Sequence, residues 1–229
     1  MTDGNIFEAI RANDIELVRK LIADEPALVN AVSPKKPPDI KGMSPLQVAL
    51  CTGWHADISW LLLEQGADVN YIPDRKWTDE AHPVLFDAAN VAIWNARRLA
   101  WDGKNTAPMN LEWKNTAEKA DEAFRFLEQV LERGADVSKT DYYGRNVLME
   151  TVSEACKLCP IWNNDTGEYY PGRPITPEMR HDMRRIFKLL IDAGADRNNV
   201  SAYSKKSIRE HYENESVWEI CGDLWDLAD

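Results

Sequence analysis

Gly66-Ala67-Asp68 closes a helix-like run at residues 60–65, and the same tripeptide recurs at residues 134–136 and 194–196. Each copy follows a helix-like stretch that contains paired apolar residues, so one supersecondary unit is used several times along the chain. A unit of this kind cannot bury its apolar face alone and is stabilised by stacking on its neighbours. The pattern therefore predicts an all-α solenoid of stacked helix-turn-helix units.

The two halves of the predicted unit differ. The first is a short helix in which a small residue follows an apolar one after three positions, as in Leu46 with Ala49, and the small side chain allows a close approach of helices. The second is longer and has apolar residues at helical spacing, as at Ile186, Leu189 and Leu190. The glycine of each tripeptide stands where a helix C-terminus needs a left-handed residue, so we interpret these glycines as structural.

Composition and charge limit the classes of function. Of 229 residues, 38 are acidic and 27 are basic, and the formal net charge of −11 predicts repulsion of nucleic acid phosphates and anionic lipid headgroups. A neutral or basic protein partner is favoured instead. Four scattered cysteines, the absence of a long apolar run and a start without the pattern of a signal peptide predict a cytoplasmic protein that does not use a membrane.

One segment has a more specific pattern. Residues 41–50 read Lys-Gly-Met-Ser-Pro-Leu-Gln-Val-Ala-Leu, and residues 58–70 supply a second helix that ends in Gly-Ala-Asp-Val-Asn. This segment resembles the ankyrin repeat, whose first helix begins with Gly-x-Thr-Pro-Leu-His-x-Ala. Ser44 replaces the threonine and can still cap the helix, whereas Gln47 replaces the histidine and is expected to weaken its hydrogen-bond network. The resemblance implies β-turn fingers between units and a non-catalytic, protein-binding role.

The expected layout is a single ankyrin-repeat domain over residues 1–229. It has about four repeats and a pair of capping helices, at residues 5–40, 41–74, 82–139, 143–198 and 204–227. The apolar starts of successive units are Ile6, Leu46, Leu85, Leu148 and Ile208. Because the last two steps are far longer than the about 33 residues of a plain ankyrin unit, we predict insertions at about 96–120 and 157–177. Both fall between the two helices of a repeat and should emerge side by side.

The inserted segments are rich in tryptophan and tyrosine, which are enriched at binding hot spots. Together with one β-turn finger they supply the candidate partner-binding residues, which are Trp101, Trp113, Trp162, Asp165, Glu168, Tyr169, Tyr170, Asp74, Arg75 and Trp77. The alternative is that the rings are buried against each other or against the repeats and act as braces. A monomer is expected, although exposed aromatic loops would also allow self-association.

Acidic residues on the fingers and on the second inserted loop suggest a negative surface that captures a basic partner. The alternative is an ordinary solvated surface of mixed charge, since Lys35-Lys36 and Arg75-Lys76 lie on the same fingers.

Cys156 and Cys159 have the spacing of a redox or zinc-binding pair. Zinc usually needs four ligands, and neither a second cysteine pair nor a close histidine pair follows, so the alternative is packing as small hydrophobic side chains. The sequence has no phosphate-binding glycine loop, nucleophile elbow or paired histidine motif. We therefore expect a protein that is not an enzyme and that has neither metal nor other cofactor.

Three functions remain open at this point. The first is a protein-binding module that uses the fingers and the aromatic inserted loops. The second is an immunity or inhibitor-type protein that neutralises a basic toxin or nuclease, as the acidic balance and aromatic loops suggest. The third is a metal- or redox-dependent protein that uses Cys156 and Cys159.

Overall fold

The structure is a computed structural model, and it describes residues 5–34, 37–76, 81–104, 110–163, 165–169 and 172–226. Within these ranges the chain is rich in helix, as the sequence predicts. The α-helices are α1 (Ile6–Arg11), α2 (Ile15–Asp24), α3 (Pro45–Cys51), α4 (Ala56–Glu64), α5 (Val84–Asn95), α6 (Ala117–Glu132), α7 (Val147–Cys156), α8 (Pro177–Asp192), α9 (Ile208–Tyr212) and α10 (Trp218–Cys221). Short 3-10 helices span Pro26–Asn30, Pro38–Ile40 and Gly222–Trp225. None of the helices in these ranges has the length and apolar character that a bilayer crossing requires.

The chain divides into two compact units. The first consists of the described residues up to Val91 together with Gln129–Asp136, and the second consists of Ala92–Glu128 and the described residues from Val137 onward. The single-domain layout and its repeat boundaries remain predictions.

Each unit has its own apolar core. In the first unit, α1 packs against α2 and α3, and α3 packs against α4. In the second unit, α7 packs against α8 and α9, and α8 packs against α10. The side chains at these contacts are almost completely inaccessible, and each contributes about 1.5–3 kcal/mol through burial. Examples are Ile10, Leu46, Ile58 and Leu62 in the first unit, and Leu148, Val152, Met183, Phe187 and Ile220 in the second.

Helix α3 begins with a complete capping box. The Ser44 hydroxyl accepts a hydrogen bond from the Gln47 backbone N–H, and the Gln47 side chain accepts one from the Ser44 N–H. The Gln47 amide nitrogen also donates to the His82 carbonyl at 3.2 Å and to the Asp87 carboxylate at 3.1 Å. Gln47 thus has a hydrogen-bond network of its own, which the resemblance alone did not predict.

The three tripeptide glycines have left-handed backbones, with φ of 86° at Gly66, 87° at Gly134 and 95° at Gly194. A Cβ added at any of them would meet no atom within 4 Å. The glycine is therefore needed for its backbone conformation and not for space, in agreement with the structural interpretation.

In the first unit, an asparagine side chain joins two consecutive turns through a pair of hydrogen bonds, and this arrangement, which we call the asparagine bracket, occurs twice. The Asn30 side chain donates to the Gly66 carbonyl at 3.1 Å and accepts from the Asp68 N–H at 2.7 Å. Asn70 makes the same two bonds to Gly134 and Asp136, at 2.9 and 2.8 Å. Each asparagine thus satisfies two backbone groups where one helix ends and the next turn begins.

We expect Asn70→Ala to lower the free energy of unfolding by about 1–2 kcal/mol, because it removes both bracket hydrogen bonds and leaves two backbone groups to water. Asn30→Ala should have a similar effect. Urea unfolding followed by circular dichroism measures both. The matched control is Asn214→Ala, at an exposed turn position. Equal stability of the Asn70 and Asn214 variants would contradict this role.

The stretches predicted as inserted loops contain two short antiparallel β-hairpins. In the first, β1 (Arg98–Trp101) pairs with β2 (Leu111–Lys114). In the second, β3 (Trp162–Asn163) pairs with β4 (Glu168–Tyr169). The first hairpin lies between α5 and α6, and the second lies between α7 and α8. The sequence analysis predicted insertions at these positions and did not predict their strands.

Candidate functional site

The first hairpin has an apolar face. Its register places Leu99 opposite Trp113 and Trp101 opposite Leu111. Because alternate residues of paired strands share a face, these four side chains lie on the same side, which we call the apolar face. Trp101 is 43% exposed and Trp113 is 51% exposed. Neither ring is a buried brace, and neither is fully in solvent.

The opposite side of the hairpin carries charge. Arg98 faces Lys114 across the strands, and Ala100 faces Glu112. Lys114 forms an ion pair with Glu112 on its own strand.

A buried ion pair fixes the start of the hairpin to α8. The Arg97 guanidinium donates to both carboxylate oxygens of Asp182 at 2.9 Å, and the Arg97 backbone N–H donates to the same carboxylate at 3.0 Å. Asp182 has 1% of its surface exposed. Burial alone would raise the pKa of Asp182, but the hydrogen bonds and positive charge of Arg97 outweigh it, so the pKa lies below its ordinary value. The hairpin therefore begins at a rigid position.

Further contacts hold both ends of this hairpin. The Asn115 side chain donates to the Trp94 carbonyl at 3.0 Å and to the Ala96 carbonyl at 3.3 Å, which closes the hairpin base. The indole N–H of Trp94 donates to the buried Glu154 carboxylate at 2.9 Å. At the outer end, the Trp101 indole N–H donates to the Lys104 carbonyl at 2.9 Å. Hydrogen bonds thus orient two of the half-exposed indoles.

The two inserted segments meet within the second unit. The Trp101 backbone N–H donates to the Gly172 carbonyl at 3.2 Å. Asp165 and Glu168, on the second segment, are exposed. For Trp162 and Tyr169 the structure describes the backbone, where they face each other across the strands, and their side chains lie outside the described part. Tyr170 lies outside the described residues.

The finger residues of the first unit form a local ion pair. Lys76 contacts the Asp74 carboxylate at 2.7 Å through its side chain, and its backbone N–H donates to the same carboxylate at 2.9 Å. The Lys76 hydrogen bonds lower the pKa of Asp74. Arg75 is exposed, and Trp77 lies outside the described residues. The negative charge of Asp74 is therefore compensated beside it, which reduces its attraction for a basic partner.

An aromatic cluster on two later turns was missed in the sequence. Tyr142 and Tyr143 have ring centroids 5.2 Å apart, and Tyr143 and Tyr203 have centroids 5.8 Å apart, both in edge-to-face geometry. Tyr203 is 81% exposed. The Ala202 N–H donates to the Tyr143 carbonyl at 2.8 Å and joins the two turns. The adjacent tyrosines before Gly144 were the available signal, but their partner is remote in sequence.

Two of the four cysteines have the properties of core residues, whereas Cys156 is partly buried and Cys51 is exposed. Cys159 and Cys221 are buried, and burial raises the pKa of Cys221 to about 12 and also raises the pKa values of Cys156 and Cys159. Such thiols are weak nucleophiles at neutral pH. Within the described ranges, no group of three or more His, Cys, Asp or Glu side chains is arranged to hold a metal ion.

Comparison with protein families places one repeat in this chain. The ankyrin repeat family model matches residues 41–74, which include α3, α4 and the following finger up to Asp74. The resemblance to an ankyrin-repeat protein is thereby confirmed. Ankyrin repeats are generally modules for protein–protein interaction and are typically not enzymes. No curated protein matches the chain.

Proposed function

We propose that this chain is a non-catalytic protein-binding module and that the apolar face of the first hairpin is part of its partner surface. The observation that carries the proposal is the pair of half-exposed indoles, Trp101 and Trp113, on a hairpin fixed by the buried Arg97–Asp182 pair. Tryptophan on a rigid support supplies a large contact area at low entropic cost.

The energetics favour recognition over bracing. A ring that served only as a brace would gain most by complete burial, because stabilisation scales with the apolar area removed from water at about 25 cal/mol per Å². About half of each indole remains accessible, although the sequence offers Leu99 and Leu111 on the same face as packing partners. A partner that covers this face would bury the remaining apolar area and gain the corresponding stabilisation.

The turn surface with Tyr142, Tyr143 and Tyr203 is a second part of the proposed partner surface. Tyrosine-rich exposed turns combine rigid contact area with hydroxyl groups that donate and accept hydrogen bonds. This turn surface supports the part of the predicted function in which the β-turn fingers bind the partner.

The narrower function, neutralisation of a basic toxin or nuclease, has less support. It requires an uncompensated acidic surface, whereas Asp74 is paired with Lys76 and the first hairpin carries Arg98 and Lys114. The metal- or redox-dependent function is also less favoured, because the thiols it needs have raised pKa values.

The architecture belongs to the same proposal. We propose about four ankyrin-type units with a C-terminal cap as a solenoid, of which residues 41–74 are the matched unit. A cytoplasmic location is part of the proposal too, supported by four cysteines that are free thiols.

Photo-crosslinking tests the proposed surface. With benzoylphenylalanine in place of Trp113, irradiation in an extract of the source cells should give a discrete adduct with one protein. The same substitution at Val32, an exposed apolar residue of the first unit, is the control and should not give that adduct. An identical adduct pattern at the two positions, or none at position 113, would count against the hairpin as a partner surface.

A further inference from the structure

Two arginines, one at the start of β1 and one on the second inserted segment, donate to backbone carbonyls. Arg98 donates through Nη1 to the Trp94 carbonyl at 2.8 Å, and its guanidinium carbon lies 5.8 Å from the centre of the half-exposed Trp94 ring. Arg173 is exposed and donates through Nη1 to the Lys157 carbonyl at 2.5 Å. The hydrogen bond between Trp101 and Gly172 brings the chain at Arg173 next to β1. We call Trp94, Arg98 and Arg173 the basic site.

The lysines around this site have carboxylate partners, and the arginines do not. Lys114 pairs with Glu112, and Lys157 pairs with Glu154. Among the ion pairs formed by described residues, none includes Arg98 or Arg173. Arg98 lies opposite Lys114 across the strands, and the charge of Lys114 is already paired with Glu112.

The pKa of Arg98 reflects its partial burial and the nearby positive charge of Arg173. Burial and the positive charge of Arg173 lower the pKa of Arg98. Arginine nevertheless stays charged at neutral pH because its pKa is intrinsically so high. The two guanidinium groups therefore repel each other in the free protein, and a bound carboxylate would relieve this repulsion.

We propose that the basic site binds an acidic segment of the protein partner, with carboxylates on Arg98 and Arg173 and an apolar side chain against the Trp94 ring. The inference rests on the proposed protein-binding function and gives the chemistry of the partner. Guanidinium groups bind carboxylates through paired hydrogen bonds, which are among the stronger ones in proteins. The partner segment at this surface is thus acidic, whereas the net charge of the chain suggested a basic partner.

A short acidic segment fits this protein better than nucleic acid does. The formal net charge of −11 repels a polyanion whose phosphates extend beyond the site. A few carboxylates confined to the site experience mainly the nearby arginines, because distant surface charges are screened beyond about 8–10 Å in physiological salt.

Selection from a library of displayed random peptides tests the inference. Peptides selected on the wild-type protein should be rich in Asp and Glu, with an aromatic or aliphatic residue. Their affinity should fall about tenfold or more in Arg98→Gln/Arg173→Gln, since two charged hydrogen-bond partners are lost. The control Arg19→Gln/Lys20→Gln removes the same charge from exposed positions of the first unit and should bind as wild type. Because Arg98 is partly buried and Arg173 is exposed, the single variant Arg173→Glu serves as a second test, and its affinity for the peptides should also fall about tenfold.

The outcomes separate this inference from the proposed function. Selected peptides that are neutral or basic, or acidic peptides that bind the arginine variants normally, overturn the acidic segment. If such peptides still require Trp101 and Trp113, the protein-binding function stands. If no selected peptide depends on the tryptophans or the arginines, both proposals fail. A single-stranded oligonucleotide that binds through the same arginines with affinity comparable to the peptides also overturns the acidic segment.

Discussion

Replacing Asp182 by alanine is expected to lower the free energy of unfolding by about 3 kcal/mol, because it leaves the Arg97 guanidinium without its buried partner. The substitution removes three hydrogen bonds from Arg97, one of them from its backbone N–H. It also removes the carboxylate that lies 3.6 Å from Arg185. Arg97 keeps some access to water and can be partly rehydrated, so the expected loss is at the lower end of the range for buried pairs.

A second carboxylate on the same helix supplies the control. Asp192 pairs with Lys188 on the exposed side of α8, where both side chains are more than half exposed. Asp192→Ala should change the free energy of unfolding by less than about 0.5 kcal/mol. Urea unfolding followed by circular dichroism compares the two variants. Similar stabilities for Asp182→Ala and Asp192→Ala would show that the buried pair does not fix the hairpin.

The contribution of Asp182 should also depend on pH. Its pKa in the folded protein lies below that in the unfolded chain, so its stabilisation is complete above the unfolded value of about 3.9 and is lost as pH falls through the folded value. The difference in unfolding free energy between the wild type and Asp182→Asn should be constant above about pH 5 and shrink below about pH 4. Unfolding measured across this range checks the sign, and a difference that grows on acidification would contradict it.

Local features of the fold could be predicted from the sequence. The left-handed glycines and the Ser44 cap depend on a few consecutive residues, and both are present as expected. The matched repeat at residues 41–74 combines these features. Such features follow from backbone geometry, which does not require knowledge of distant parts of the chain.

The candidate site could be predicted only in part. Trp101 and Trp113 were identified from composition, but the hairpin that places them on one face consists of two four-residue strands without a two-residue turn signal. Its anchor, Asp182, lies 85 residues from Arg97. The basic site was missed for the same reason, since it depends on the hydrogen bond between two inserted segments that are far apart in sequence.

Removal of both exposed indoles, in Trp101→Ser/Trp113→Ser, is expected to weaken partner binding by about 100-fold or more. Tryptophan hot spots contribute about 2 kcal/mol or more each, and a factor of ten corresponds to about 1.4 kcal/mol. The loss should be mainly a faster dissociation rate, since apolar contacts act after the encounter. Surface plasmon resonance with the partner identified by crosslinking measures the association and dissociation rates.

Stability and a matched apolar variant separate binding from folding. Because both rings are about half exposed, the double variant should keep a circular dichroism spectrum and an unfolding midpoint close to those of the wild type. Val32→Ser, which removes an exposed apolar side chain from the first unit, should bind as wild type. Tyr142→Ser/Tyr203→Ser measures the contribution of the tyrosine turns on the same scale. A double tryptophan variant that is folded and binds the partner normally would remove the hairpin from the interface.

Hydroxyl-radical footprinting of the free and partner-bound protein measures the solvent accessibility of individual tryptophan side chains. We expect the oxidation of Trp101 and Trp113 to fall several-fold on complex formation, while that of Tyr71 in the first unit serves as an internal reference. Unchanged oxidation of both tryptophans in a saturated complex would contradict the account, because the partner would then bind elsewhere.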